Sequence, residues 1–303
     1  MSLRTAVPDP PTRLVQAGSA LLGRWSAQSR VLPSFLIAGG QRCGTTSLYR
    51  ALAAHPAVLK AVLHKGVHYF DVDYRRGIDW YRGHFPLRST ARRVTDRFGV
   101  QAQAFESSPY YMYHPLAAER IAAALPDVRI IVLVRDPVER AYSQYVHEVA
   151  RGFETERDFG VALAREKGRL AGQERRLCDD PGYHSHAHQH HAYVERGQYV
   201  EHLTRLAAVF GRQRIHVVES ELFFTTPEPV YDSILTFLGL PDFGYPRFAR
   251  HNARARGPMP DDVRRRLTEH FVPYTERLAG WLGFRPSFAE PATHTGENRA
   301  EGG

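Results

Sequence analysis

One stretch constrains this chain more than any other: Phe35-Leu36-Ile37-Ala38-Gly39-Gly40-Gln41-Arg42-Cys43-Gly44-Thr45-Thr46-Ser47-Leu48-Tyr49. Four apolar residues, Phe35 through Ala38, fit a strand covered on both faces. Gly39, Gly40 and Gly44 permit a tight loop whose backbone N–H groups approach a ligand closely. Thr45, Thr46 and Ser47 are placed to cap a helix over 48–55, which Pro56 ends. Free N–H groups at a helix start attract phosphate. The stretch predicts a phosphate cradle. The alternative is an ordinary strand-to-helix turn.

The common triphosphate loop is G-x-x-x-x-G-K-[ST]. Here Gly39 and Gly44 have that spacing, but Thr45 stands where the lysine would be and the basic residue, Arg42, comes earlier. A P-loop kinase remains a rival reading, and the missing lysine argues against it.

The rest of the chain alternates strand-like and helix-like segments. A second strand is expected at Gly66-Val67-His68-Tyr69-Phe70, a third at Gln103-Ala104-Phe105-Glu106, a fourth at Arg129-Ile130-Ile131-Val132-Leu133-Val134 and a fifth at Ile215-His216-Val217-Val218. Helical patterns lie between them, over 116–125, 153–176, 193–210 and 230–238, with one or two helices over 261–281. Asp136, Pro137 and Glu139 form the N-cap, first turn and capping box of another. This alternation predicts an α/β, P-loop-like three-layer fold, a central parallel sheet with helices on both faces. In such sheets ligands bind at the carboxyl ends of the strands. Residues 1–32 read as a weakly ordered lead-in, 33–285 as one domain, and 286–303 as a polar, disordered tail.

Composition narrows the partners. The net charge is +8 and the pI about 9.6, which favours an anionic ligand. Nearly all of that charge is arginine; Lys60, Lys65 and Lys167 are the only lysines. A basic patch interleaved with aromatics, the mark of a nucleic-acid binder, is not found. Two cysteines, Cys43 and Cys178, make no disulfide framework. The first residues lack the apolar core of a signal peptide, and no run of about 18 apolar residues exists. A cytoplasmic protein without a membrane span is expected.

Arg135 stands at the edge of the fourth strand, and Ser143 two turns into the helix that follows; a guanidinium fork and a hydroxyl there suit a second phosphate. With Arg42-Cys43-Gly44-Thr45-Thr46, and with Arg135-Asp136-Pro137-Val138-Glu139-Arg140-Ala141-Tyr142-Ser143, the chain resembles the PAPS-dependent sulfotransferases, in particular the heparan sulfate branch and its bacterial relatives. Phe105-Glu106-Ser107-Ser108-Pro109-Tyr110-Tyr111, Arg196-Gly197-Gln198-Tyr199 and Phe237-Leu238-Gly239-Leu240 extend the resemblance over roughly 33–283. It implies a donor, PAPS, whose 5′-phosphosulfate is held by Arg42, Cys43, Gly44, Thr45, Thr46 and Ser47, and whose 3′-phosphate is held by Arg135 and Ser143. Arg254, Arg256 and Gly257 fall where the family places a basic loop over the 3′-phosphate and adenine; a solvated basic turn is the equal alternative.

The resemblance also implies in-line transfer to a hydroxyl, or an amine, of a glycan or other small-molecule acceptor, with no metal. The family's K-E-x-H-[FY]-F segment reads Lys65-Gly66-Val67-His68-Tyr69-Phe70 here, so the glutamate expected to act as base is Gly66. His68 becomes the candidate base, with Glu106 in reserve, and Lys65 supports the phosphosulfate charge. A PAPS-binding protein with reduced or lost catalysis is the other reading of Gly66. Arg42 replaces the family lysine and keeps charge without a transferable proton. The run His184, His186, His188, His190 and His191 lacks the spacing of a zinc site and reads as a mobile loop beside the acceptor cleft. Cys43 reads as a small packed residue rather than a nucleophile.

Overall fold

Five parallel strands lie in the order β2-β3-β1-β4-β5. They are β1 (Phe35–Gly39), β2 (Val58–Lys60), β3 (Gln103–Ser107), β4 (Arg129–Val134) and β5 (Ile215–Glu219). This computed structural model describes residues 25–62, 64–251 and 256–289. β1 is central, with Phe35 beside Phe105 on one side and beside Arg129 on the other. The chain builds β2 and β3 on one side of β1, then β4 and β5 on the other. The switch in direction falls at the end of β1, where open parallel sheets form their ligand crevice.

Helices bury both faces, so every residue of β1 is buried, as are Ile130 through Val134 in β4. The Phe35 and Phe105 rings stack at 4.8 Å, and Tyr49, on the helix after β1, lies 4.8 Å from Phe105. The sheet and its two-faced cover match the expected three-layer fold.

Several local expectations are corrected. Gly66 through Phe70 is irregular, because His68 takes a left-handed φ of 54° and its carbonyl accepts from Val72 and Asp73 N–H groups, which turns the chain. The second strand is instead Val58–Lys60, paired in register with Gln103–Phe105. The helix after β1 runs Thr45–Ala53, and its cap is Gly44 rather than a hydroxyl. Asp136 caps the helix Pro137–Arg151 through the N–H groups of Val138 (2.8 Å) and Glu139 (3.2 Å), but Glu139 completes no capping box. Its carboxylate is taken by Arg264 (2.7 Å) and Arg256.

The 153–176 pattern is broken into Phe159–Leu170 and part of Gln173–Asp179, where Gly172 turns left-handed (φ 72°), and the helix expected from 193 starts at Tyr199. Within 25–32, Ala27 is buried and Val31 N–H donates to Pro86 O (3.0 Å), which anchors the end of the expected lead-in. At the other end, Ser287 binds Glu219 through its N–H (2.6 Å) and hydroxyl (2.7 Å), so the start of the expected tail is tied to β5. Most of the expected lead-in, residues 1–24, lies outside the described residues, as does most of the tail.

Candidate active site

The carboxyl ends of β1, β3, β4 and β5 meet at one edge of the sheet around a cavity of about 790 Å³. At the end of β1, Gly40 N–H donates to Leu133 O on β4 (2.8 Å). A Cβ on Gly40 would stand 3.0 Å from Leu133 O and 3.0 Å from Cys43 Sγ. Gly44 has φ 90°, and a Cβ there would meet the Phe224 ring at 3.0 Å. These glycines let the loop press against β4 and bring the first turn of Thr45–Ala53 to the cavity. First-turn N–H groups have no partner within their helix and carry the positive end of its dipole.

The two basic motifs meet in the same cavity. Arg42 Nε donates to Ser143 Oγ (3.1 Å), and its Nη1 lies 3.5 Å from His147 Nδ1. Arg135 Nη1 donates to the Arg42 carbonyl (3.3 Å), while its Nε lies 4.0 Å from Glu221. Arg42 is therefore turned toward Ser143 and Arg135. The cation against the loop's hydroxyls is Lys65, whose Nζ donates to Thr45 Oγ1 (3.2 Å) and Thr46 Oγ1 (3.0 Å). Burial pulls the Lys65 pKa down to about 8, against the opposing pull of Glu106. An ammonium with that pKa is mostly protonated at neutral pH yet gives its proton up readily.

His68 lines the cavity with 39% of its side chain exposed, and its Nδ1 lies 2.9 Å from Asp71 Oδ2, a carboxylate wholly inside the protein. Burial alone would lower the imidazole pKa. The Asp71 charge and hydrogen bond outweigh it and push His68 up to about 9. With Nδ1 held, Nε2 is the nitrogen left for a substrate proton.

Gly66 explains itself by packing. A Cβ there would come within 2.5 Å of Ser107 O and 3.1 Å of Ser108 Oγ, and 3.4 Å from His68 Nε2. The space that a side chain at 66 would need is occupied by β3's end and by the imidazole. Glu106 is fully buried below, outside the cavity wall. It accepts from Ser108 Oγ (2.7 Å), Val67 N–H (3.3 Å) and Tyr81 OH (3.4 Å), and burial raises its pKa.

Of the residues that the sequence singled out, Arg42, Gly44, Thr45, Thr46, Lys65, His68, Arg135, Ser143 and Arg256 line this one cavity. Cys43 does not; it is buried, its Sγ 3.5 Å from Tyr199 OH, and burial raises its pKa away from thiolate chemistry. Ser47 is also buried and turns its hydroxyl to the His251 N–H (3.0 Å), which ties the 250s loop to the helix after β1. Arg256 reaches the wall while its guanidinium is held by Glu139. Gly257 is exposed and outside the wall, and Arg254 lies outside the described residues.

Sequence reasoning missed several residues that build the site. Tyr199 accepts from Arg135 N–H (3.3 Å) and touches Cys43, and so joins the two motifs. Glu148 binds Gln41 Nε2 (3.1 Å) and His190 Nδ1 (3.0 Å), which locks the loop after β1 to the helix Pro137–Arg151. Arg196 is buried, donates to Gln41 and to the carbonyls of His188 (3.0 Å) and Gln189 (2.8 Å), and stacks near Tyr110 and Tyr113. Phe224 and Glu221 come from the helix Ser220–Thr225 at the end of β5. Tyr199 and Arg196 stood in a fragment already noticed; Asp71, Glu148, Phe224 and Glu221 gave no local signal.

The histidine run is a packed element rather than a mobile loop. Ser185 caps a short helix, His186–His190, and His188 is buried, bonded to Tyr110 OH (2.8 Å) and stacked on Tyr113 at 4.2 Å. Among the described residues, no three His, Cys, Asp or Glu side chains are grouped to hold a metal ion.

Comparison with known proteins matches this architecture. A profile described as "Sulfotransferase domain" covers residues 32–245, which include both basic motifs, Lys65, His68 and Tyr199. The chain belongs to the sulfotransferase domain family. It is similar to the human bifunctional heparan sulfate N-deacetylase/N-sulfotransferase 3, with 32% identity over 233 residues, 73% of this chain and 24% of that protein. It is also similar to the human heparan sulfate glucosamine 3-O-sulfotransferase 5, with 30% identity over 223 residues, 73% of this chain and 56% of that protein. The chain thus spans from about a quarter to about half of the length of these relatives. Among solved structures it resembles a sulfotransferase from Alicyclobacillus acidocaldarius, with a TM-score of 0.63 and 28% identity over 84% of this chain and 97% of that one. The matched region stops at residue 245. The terminal helix Asp261–Leu282 lies beyond it, yet packs Phe271 where a Cβ on Gly197 would stand only 2.7 Å away.

Proposed function

We propose that this protein moves a sulfuryl group from 3′-phosphoadenosine 5′-phosphosulfate (PAPS) to a hydroxyl, or an amine, of a carbohydrate-like or other small acceptor. The observation that carries the proposal is the shared cavity. A helix N-terminus with Lys65 beside it, the Arg135/Ser143 pair and the His68–Asp71 pair all open into one volume. Among the described residues seven arginine and lysine side chains line that volume, against a single carboxylate, Glu221. A ligand carrying two separate anionic groups fits such a wall. Gly44 supports the same fit, since its bare Cα leaves the helix start open beside Phe224.

PAPS supplies an activated sulfuryl group on an anionic leaving group. The chain's own residues do the rest. Thr45 and Thr46 N–H groups and the Lys65 ammonium face the phosphosulfate end and stabilise charge that develops there. Arg135, Ser143 and Arg42 hold the 3′-phosphate. Arg42 has no proton to give at neutral pH, so Lys65 is the donor of a proton to the leaving oxygen. His68 Nε2 takes the acceptor's proton while Asp71 holds Nδ1 and balances the imidazolium, and the buried Glu106 orders the 67–68 backbone from beneath.

The test is ligand stabilisation. A ligand that binds only the folded state stabilises it by about 2.7 kcal/mol at a hundredfold its Kd. 3′,5′-ADP should raise the melting temperature, and Arg135→Ala should abolish that rise. A rise with ATP–magnesium alone would overturn the reading in favour of a kinase.

A further inference from the structure

We propose that this protein carries a second anion site, for one phosphate or sulfate group, at the opposite end of the sheet from the active site. A cavity of about 310 Å³ lies there, lined by Arg30, Arg82, Arg88, Ser34 and Gln101 among others. Ser34 immediately precedes β1, and Ala102, also in the wall, immediately precedes β3. The site therefore sits at the amino ends of the strands and shares no residue with the cavity described above.

Three arginines line one small space, and among the described residues every hydrogen bond their side chains donate goes to a neutral group. Arg30 Nε donates to Ser26 Oγ (2.8 Å) and its Nη1 to Phe85 O (2.6 Å). Arg82 Nη1 donates to Gln28 Oε1 (2.9 Å), and Arg88 Nε to Arg30 O (3.4 Å). Among the described residues none of the three is ion-paired. Asp79 accepts from Gln28 Nε2 (3.0 Å) and is ion-paired with none of the three arginines. Elsewhere arginines such as Arg264, Arg277 and Arg285 do have carboxylate partners. Moreover, Arg82 Nε is buried and has no hydrogen-bond partner among the described residues. Burial also pulls Arg30 below its ordinary value, as expected for a cation lacking a counter-ion. A tetrahedral oxyanion supplies the missing acceptors and charge for all three forks. The volume suits one such group with its waters, not a nucleotide.

The experiment measures labelled inorganic sulfate by equilibrium dialysis, with 3′,5′-ADP present to fill the nucleotide cavity. One saturable sulfate per chain is expected, weakened about tenfold in Arg82→Gln, the loss typical of one charged hydrogen bond. Arg88→Gln, at an exposed position, should weaken it in the same direction without disturbing the fold. Because neither residue lines the active-site cavity, their effect identifies this site whether or not the nucleotide binds. Competition names the source. Displacement by a sulfated oligosaccharide at lower concentration than by inorganic phosphate means that the group arrives on a chain, and the reverse order means a free anion. Absence of saturable binding, or binding unchanged in both variants, overturns the proposal.

Discussion

The pairing of His68 with Asp71 makes the pH dependence of catalysis calculable. In the proposed reaction the acceptor's base, His68, must be neutral and the leaving group's acid, Lys65, protonated. His68 is pushed up to about 9 and Lys65 down to about 8, so the two groups are in the required states together only rarely. At pH 8.5 about a quarter of each is in the required form, so roughly 6% of molecules are competent, and kcat/KM should peak there. Asp71→Asn removes the charge that raises His68, and the imidazole falls to its ordinary value of about 6.5 or lower. The optimum then moves to about pH 7.25, and roughly 70% of molecules are competent, a gain of about twelvefold in population. The rate per competent molecule falls, because the imidazolium loses its counter-charge and the ring its orientation. Water at the exposed 39% of the ring screens the pair, so 9 is the upper bound on the His68 value. The assay is kcat/KM for the donor from pH 6 to 10, with the His68 imidazole titrated by NMR in both proteins. An optimum that stays in place in Asp71→Asn, or a His68 titration near 6.5 in the wild type, refutes the dyad.

The other expectations concern neighbouring residues. Lys65→Arg keeps the charge but not the transferable proton, so kcat should fall by about 10² to 10⁴ and the fall in kcat/KM on the alkaline side of the optimum should disappear; a retained fall assigns the acid elsewhere. Gly66→Ala forces a Cβ within 2.5 Å of a backbone oxygen and should cost about 1–3 kcal/mol in chemical denaturation, so Gly66→Glu should destabilise rather than install a base. Tyr199→Phe removes the hydroxyl beside Arg135 N–H and Cys43, and should raise the Kd for 3′,5′-ADP about fivefold, the worth of about 1 kcal/mol, with little change in kcat.

The sequence by itself determined the α/β layering, four of the five strands, the two basic motifs and the family. Those features are local: apolar runs bounded by glycines or a proline, and a strand followed at fixed spacing by a cap. It did not determine the irregular course of 66–70. Neither the left-handed backbone at His68 nor the contact between Gly66 and Ser107 has a local signature; both arise because two distant segments compete for one volume. The same holds for Asp71, whose meaning depends on a hydrogen bond to His68, and for Tyr199, Glu148 and Phe224, which reach the site from three separate helices. Arg42 shows the division most plainly. Its motif position predicted a role at the phosphosulfate, and only the folded arrangement turns its side chain to Ser143 and sets Lys65 against Thr45 and Thr46. Identity and spacing along the chain specify which groups are present. Burial and tertiary proximity decide which of them meet and which protons they hold.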